Sequence, residues 1–304
     1  MNRKRKRGAA RAVVLLVVFA AVLTLSVTLL VSACSRPASG PEPENPGVTG
    51  EEGPETTGNL VTYGSQELPE LGSVALNPYD PAKFRWEGGR LLYEDAATPT
   101  WFGIDVSAHR EELDWSAVKA AGVDFAMLRI GWRGNTEGKV YLDEYFERNY
   151  EHAKAAGLHV GVYFYSQAIS REEAVEEAEA VLKWLDGREL DYPVVYDWEY
   201  VSSEARTANV DGDTLDACAN AFCETIAAAG YYPMIYFYQD IAYLKYDLSE
   251  INRYDFWLAE YNEIPTFHYD FKMLQYSASG KIEGVEDGVD FNISFVDYAK
   301  RVKG

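Results

Sequence analysis

The sequence predicts an α/β barrel made of five β/α units followed by three further strands. Short β-branched or aromatic runs alternate with amphipathic segments from residue 102 to residue 253, the pattern of parallel strands joined by crossover helices. After residue 254 the helical period stops, and three more apolar runs follow with only loops between them. Eight strands within about 200 residues suffice to close a barrel. The chain has 304 residues, of which 47% are hydrophobic and 25% charged, an ordinary globular composition with enough apolar side chains to fill such a core.

The N-terminus carries Arg3, Lys4, Arg5, Lys6, Arg7 and Arg11 ahead of an uncharged run from Ala12 to Ala33, a pattern that engages the export machinery with its positive end inside. That run exceeds the roughly 7 to 15 residues of an ordinary signal peptide and, at about 20, is long enough to span a bilayer. Val31-Ser32-Ala33-Cys34 resembles the lipobox of bacterial lipoproteins. Residues 1–34 are therefore expected to be a signal peptide that leaves a lipidated Cys34, or else an uncleaved helical anchor. Either one tethers the chain to the membrane, outside the cytoplasm. Residues 35–59 hold five prolines and almost no large apolar side chain, the composition of a flexible linker. Residues 60–100 regain Tyr63, Phe84, Trp86, Leu91 and Tyr93 but lack a sustained period, so they are expected to pack on the barrel formed by residues 101–304.

Within that barrel, strands are predicted at 102–107, 125–132, 159–166, 192–200 and 231–238, then at 256–261, 271–277 and 289–295. Helices are predicted at 114–122, 142–157, 170–187, 212–229 and 239–253. Several of these end in an Ala-Gly or Asp-Gly step suited to a glycine C-cap, and Ser170 to Glu173 reads as a capping box.

Charge excludes one class of partner. There are 48 acidic against 28 basic side chains, a formal charge of −20, and nucleic acid demands the opposite sign. Loss of residues 1–33 would remove six basic side chains and no acidic one, taking −20 to −26. Three cysteines and four scattered histidines form none of the usual zinc spacings, so no metal and no other cofactor is expected.

Chemistry in such barrels sits at the carboxyl ends of the strands, and four carboxylates stand out there. Asp105 ends the first strand, Asp197 and Glu199 end the fourth, and Asp290 begins the last. The period-2 geometry of a strand puts Asp197 and Glu199 on one face with Val195, and Tyr196 and Trp198 on the other. Crowded carboxylates raise one another's proton affinity, so one of them holds a proton near neutral pH. That proton suits general-acid cleavage of a glycosidic bond, with the remaining charges stabilising the cation that develops on the sugar. Tyr163, Tyr165, Tyr236, Tyr238, Trp257, Tyr261 and Tyr276 lie near strand ends, where flat rings can stack on sugar faces.

These motifs have a known order. Phe102 to Ser107, Asp114 to Lys119, Asp197-Trp198-Glu199, Trp257 to Tyr261, Leu274 to Ser277 and Val289 to Asn292 together resemble glycoside hydrolase family 25, the Chalaropsis-type lysozymes, over residues 101 to 297. The resemblance implies a TIM-like (β/α)5(β)3 barrel that cleaves the β-1,4 bond between N-acetylmuramic acid and N-acetylglucosamine in the glycan strands of peptidoglycan. It implies Glu199 as general acid, Asp197 as its partner, and Asp105 and Asp290 as further pocket acids. Tyr163, Tyr236, Trp257, Tyr261 and Gln275 fall at groove-lining positions. The sequence departs from the family's usual motifs at Phe164 and Leu274, which prompts a second reading, a non-catalytic peptidoglycan-binding module. All four acids persist, which favours the enzyme. A family 18 chitinase would need an aspartate where Val195 stands, and no Gly-x-Ser-x-Gly nucleophile motif occurs. Gly134 to Lys139 is one residue short of a phosphate loop and reads as a turn.

Overall fold

Two β-hairpins precede the barrel. The computed structural model, which describes residues 54–110 and 112–302, pairs β1 (Thr56–Tyr63) with β2 (Gln66–Leu71) and β3 (Phe84–Glu87) with β4 (Arg90–Tyr93), both antiparallel. Gly88 and Gly89 turn the second hairpin with φ of 59° and 80°, a left-handed pair whose twist matches that of the flanking strands. The expected export segment with Cys34, and residues 35–53 of the linker, lie outside the described residues, while residues 56–59 open β1. Among the described residues, no helix is long and apolar enough to cross a membrane.

Aromatic contacts hold these hairpins to the rest of the chain. Tyr79 stacks on Phe295 with ring centroids 3.9 Å apart and donates its hydroxyl to the Phe271 carbonyl at 2.7 Å. The Leu71 N–H donates to the Tyr269 hydroxyl at 3.0 Å, and the Glu70 carboxylate lies 2.8 Å from His268 Nε2. Trp86 donates its indole N–H to the Glu263 carbonyl at 2.8 Å.

The remaining strands are β5 (Trp101–Val106), β6 (Phe125–Arg133), β7 (Val140–Leu142), β8 (His159–Ser166), β9 (Val194–Trp198), β10 (Pro233–Tyr238), β11 (Asp255–Ala259), β12 (Met273–Gly280) and β13 (Val289–Ser294). Ladders run β5-β6-β8-β9-β10-β11-β12-β13 and return to β5, so eight strands close a barrel. Its neighbours are parallel except β13, which is antiparallel to both β12 and β5. Helices α1 (Trp115–Ala120), α2 (Phe146–Ala155), α3 (Arg171–Leu185), α4 (Gly212–Ala228) and α5 (Gln239–Leu244) follow the first five barrel strands, as the sequence predicts. The two short helices α6 (Leu248–Ile251) and α7 (Tyr298–Arg301) were not predicted as separate elements.

Two differences have local causes. The helix predicted at 239–253 breaks between α5 and α6, because the Asp247 side chain caps α6 through the Ser249 N–H at 2.9 Å while its own N–H goes to buried Asp216. The strand β7, unpredicted, adds antiparallel to β6 across the Gly134–Lys139 turn.

Side chains sort into two apolar layers. Ile104, Leu128, Phe164, Tyr196, Trp198, Phe237 and Leu274 face outward into the larger apolar cluster. Phe125, Met127, Tyr192, Met234, Trp257, Met273 and Tyr298 fill the interior. Phe125 stacks on Tyr192 at 4.3 Å, and a Cβ at Gly103 would lie 2.2 Å from the Phe125 ring, so that position has room only for glycine. This plug seals the end where the parallel strands begin and leaves the polar interior side chains at the other.

Candidate active site

All four carboxylates lie at the unplugged end. Asp105 and Asp197 stand on β5 and β9, and Glu199 follows directly after β9. Asp290 is the second residue of its strand, which in an all-parallel barrel would place it at the plugged end. Because β13 runs backwards, Asp290 instead pairs directly with Asp105, with Cβ atoms about 5 Å apart. Asp197 is in register with Tyr165 on one side and Tyr236 on the other. Trp198 turns outward and donates to the Ala168 carbonyl at 3.2 Å, as the alternation requires.

One hydrogen-bond chain organises the Asp105 side of the site. Tyr236 and Tyr261 both donate their hydroxyls to Gln275 Oε1, at 3.1 and 2.7 Å. Gln275 donates through Nε2 to Asp105 Oδ2 at 2.9 Å, and Asn292 Nδ2 donates to the same oxygen at 2.8 Å. Trp257 holds Asn292 by an indole N–H to Oδ1 at 2.9 Å. The tyrosine donors fix which end of the Gln275 amide faces Asp105, so two N–H groups converge on one carboxylate oxygen.

Electrostatics divide the four acids into distinct tasks. Burial, and then the Asp290 charge, push Asp105 well above the ordinary carboxylate range, but the Asn292 and Gln275 donors and Arg110 oppose this. Burial also raises Asp290, against Arg110, whose Nη2 lies 3.9 Å away. Asp197 is raised by burial and by Glu199 and Asp105, with Arg129 opposing, and its buried Oδ1 has no hydrogen-bond partner among the described residues. Burial, followed by the Asp290 charge, pushes Glu199 up to about 7. Among the described residues no group donates a hydrogen bond to its carboxyl. At pH 6 such a carboxyl is about 90% protonated, where an ordinary glutamic acid is only a few per cent protonated. Burial thus raises all four acids, and the Glu199 proton is the one held near neutral pH, while the two N–H donors on Asp105 oppose the rise there.

Six of the seven strand-end aromatic side chains lie toward the unplugged end, around Trp257, Asp197 and Gln275. Tyr163 and Tyr236 meet the Trp257 ring edge-on at 6.1 and 5.0 Å. Tyr165 and Tyr238 are partly buried beside Glu199 and Asp197. Tyr261 lies beyond the end of β11 on a loop, 57% exposed, with its ring at the rim. Tyr276 is a correction: it points outward, edge-on to Trp86 of the second hairpin, and belongs to the outer layer. Phe164 and Leu274 also face outward and are fully buried, so the two departures from the family motifs lie in the outer layer and not in the groove.

Four site residues were missed in the sequence. Asn292 shares a strand face with Asp290 at a spacing of two, and that spacing was the available signal. Arg110 follows the first strand on a short 3-10 turn. Arg129 projects from β6 and is pinned by Asp143 at 2.8 Å. The fourth is Trp132. A register shift between Arg129 and Gly131 sets Trp132 beside Tyr165 and brings the Arg129 guanidinium 4.9 Å from its ring centroid. The outward Gly131 has no space for a Cβ, which would lie 2.4 Å from Trp184. A glycine inside a strand was the signal for that bulge.

Comparison with known proteins agrees with this architecture. The autolytic lysozyme of Clostridium acetobutylicum is 27% identical over 192 residues, which is 62% of this chain and 54% of that one. The chain thus spans about half the length of that curated relative. A family 25 glycosyl hydrolase from Bacillus anthracis superposes with a TM-score of 0.58 at 18% identity, over 72% of this chain and 99% of that one. The modular autolysin LytC of Streptococcus pneumoniae, solved with a synthetic peptidoglycan ligand, gives 0.56 at 22% identity over 77% and 52%. These two likenesses concern the fold, which is the same barrel. The profile of "Glycosyl hydrolases family 25" matches residues 104–285, taking in Asp105, Asp197 and Glu199 and stopping short of Asp290 and Asn292. Since that match covers more than half of the chain, and the barrel and its acids agree with it, the chain belongs to glycosyl hydrolase family 25.

Proposed function

We propose that the chain is a lysozyme that hydrolyses the β-1,4 bond between N-acetylmuramic acid and N-acetylglucosamine in peptidoglycan, with Glu199 as the general acid. The observation that carries this reading is the meeting of Glu199 with Asp197, Asp105 and Asp290 at the open end of the barrel, where burial and the Asp290 charge raise the Glu199 carboxyl to about 7. It donates its proton to the leaving glycosidic oxygen. Asp197, on the same face and with no partner at Oδ1 among the described residues, is placed to stabilise, once ionised, the positive charge that grows at the sugar ring. The rings of Tyr163, Tyr165, Tyr236, Trp257 and Tyr261 and the Gln275 amide form the walls that hold the sugars. The names of the Clostridium relative and of the LytC complex support peptidoglycan as the substrate.

Mass spectrometry of fragments released from purified peptidoglycan tests the bond assignment. New reducing ends on N-acetylmuramic acid are expected; reducing ends on N-acetylglucosamine, or no cleavage, overturn it. The same assay followed from pH 5 to 9 should lose rate above about pH 7, because only the protonated acid is competent and its fraction falls about tenfold per unit beyond that point.

We also infer that residues 1–34 tether the enzyme to the outer face of the membrane, through lipid on Cys34 or through an uncleaved helix. A mature charge of −26, which is −20 less the six basic side chains of residues 1–33, is repelled by anionic wall polymers, so the tether supplies the local substrate concentration. An alkyne-tagged fatty acid fed to the cells should label the wild-type protein and not Cys34→Ala if lipid holds it, and label neither if the helix does. Wild-type protein found free in the medium overturns the tether.

A further inference from the structure

We propose that Gln167 is a positioning residue for Glu199, holding its main chain at the height from which the carboxyl reaches the glycosidic oxygen. This rests on the reading of Glu199 as general acid. The ladder between β8 and β9 ends at the Ser166 and Trp198 pair, so Glu199 is the first residue of its strand with no sheet partner. A side chain replaces that partner. Gln167 Nε2 donates to the Glu199 carbonyl at 2.8 Å and to the Ser166 carbonyl at 2.8 Å. Its Oε1 accepts the Thr207 hydroxyl at 2.9 Å. Both donors and the acceptor are therefore occupied, and the amide has one orientation only. Gln167 is 0% and Thr207 1% exposed, so neither has water as an alternative partner.

The contact is itself anchored. Arg206 donates to the Gln167 carbonyl at 2.8 Å and grips the Glu173 carboxylate with two N–H groups, at 2.7 and 2.6 Å. Glu173, in the first turn of α3, reaches back to the Ile169 N–H at 3.0 Å, one residue short of the capping box expected at Ser170. The loop that follows the catalytic strand is thereby fastened to the loop of the neighbouring β/α unit at three points: Glu199, Arg206 and Thr207. Gln167 and Thr207 are buried away from the groove, so their effect on the reaction passes through the placement of Glu199. Displacements of about 1 Å at such a group cost about a hundredfold in rate.

The experiment compares Gln167→Met, which keeps length but loses all three bonds, with Thr207→Val, which frees only the amide oxygen. Release of reducing ends from purified peptidoglycan is followed from pH 5 to 9, with Glu199→Gln as reference and circular dichroism as a check on folding. Gln167→Met should lower kcat about tenfold to a hundredfold, with KM within about twofold. It should also move the alkaline limb toward lower pH, because a shifted carboxyl regains water and ionises more readily. Thr207→Val should act in the same direction to a smaller extent, and it decides the matter alone if Gln167→Met does not fold. An alkaline limb at the wild-type position in the folded variants reduces Gln167 to a packing residue and overturns the proposal, while leaving the general acid in place. Full activity in Glu199→Gln overturns the general-acid reading itself, and this inference with it.

Discussion

Glu199→Gln is expected to lower kcat on peptidoglycan by about 10²- to 10⁴-fold, the range typical of a lost general acid, with little change in KM. The amide keeps the shape of the side chain and cannot supply the proton. The same substitution should stabilise the fold at alkaline pH. In the folded chain this carboxyl is raised to about 7 from an ordinary 4.5, so the native state binds the proton more tightly than the unfolded chain. Wild-type stability therefore falls as the pH climbs from about 4.5 through 7, and glutamine removes that loss. A gain of about 2 kcal/mol at pH 8, vanishing below pH 4.5, is the expected size after allowance for partial exposure. Paired melting curves at the two pH values measure it. Undiminished turnover, or equal stabilities at pH 8, would leave Glu199 as an ordinary surface acid.

Arg133→Met should have the largest effect on stability. Arg133 is 3% exposed, and its guanidinium binds the Glu177 carboxylate at 2.7 Å, the Glu176 carboxylate at 2.7 Å, and the carbonyls of Glu173 and Gly138. Glu177 is fully buried on α3 and also accepts the Ser166 hydroxyl at 2.6 Å. Even with these partners, burial pushes Glu177 up to about 7. Without the arginine its negative charge has no counter-ion, and breaking such a pair costs about 3–5 kcal/mol. Protonation of Glu177 offers an escape, so the loss should be smaller at pH 5 than at pH 8. Adding Glu177→Gln to the same chain should recover most of the stability. A drop below about 1 kcal/mol, or one independent of pH, would show that the pair is not the fastening its geometry indicates.

Strand positions and the interior acids were legible because both depend on local pattern. A run of β-branched residues marks a strand wherever it packs, and the alternation at Val195, Asp197 and Glu199 survives because β9 is regular. What was hidden depends on partners distant in sequence. The bulge near Gly131 is set by Trp184 and the Tyr141 carbonyl, some ten to fifty residues away on other elements, and it alone turns Trp132 toward the groove. Asn292 was passed over because its role appears only once Trp257 and Asp105 are brought to either side of it. The break between α5 and α6 depends on buried Asp216, which competes for the Asp247 backbone. Tyr276 turns outward because its neighbour Gln275 faces Asp105, and the second hairpin covers it there through Trp86.

The reversed β13 also bears on how the ribosome's product matures. Its hydrogen bonds to β5 join the first and last staves of the cylinder, so an incompletely synthesised polypeptide has two raw margins, at β5 and β12, and lacks Asp290 and Asn292 altogether. The carboxylate cluster is therefore complete only once β13 slots between its two neighbours.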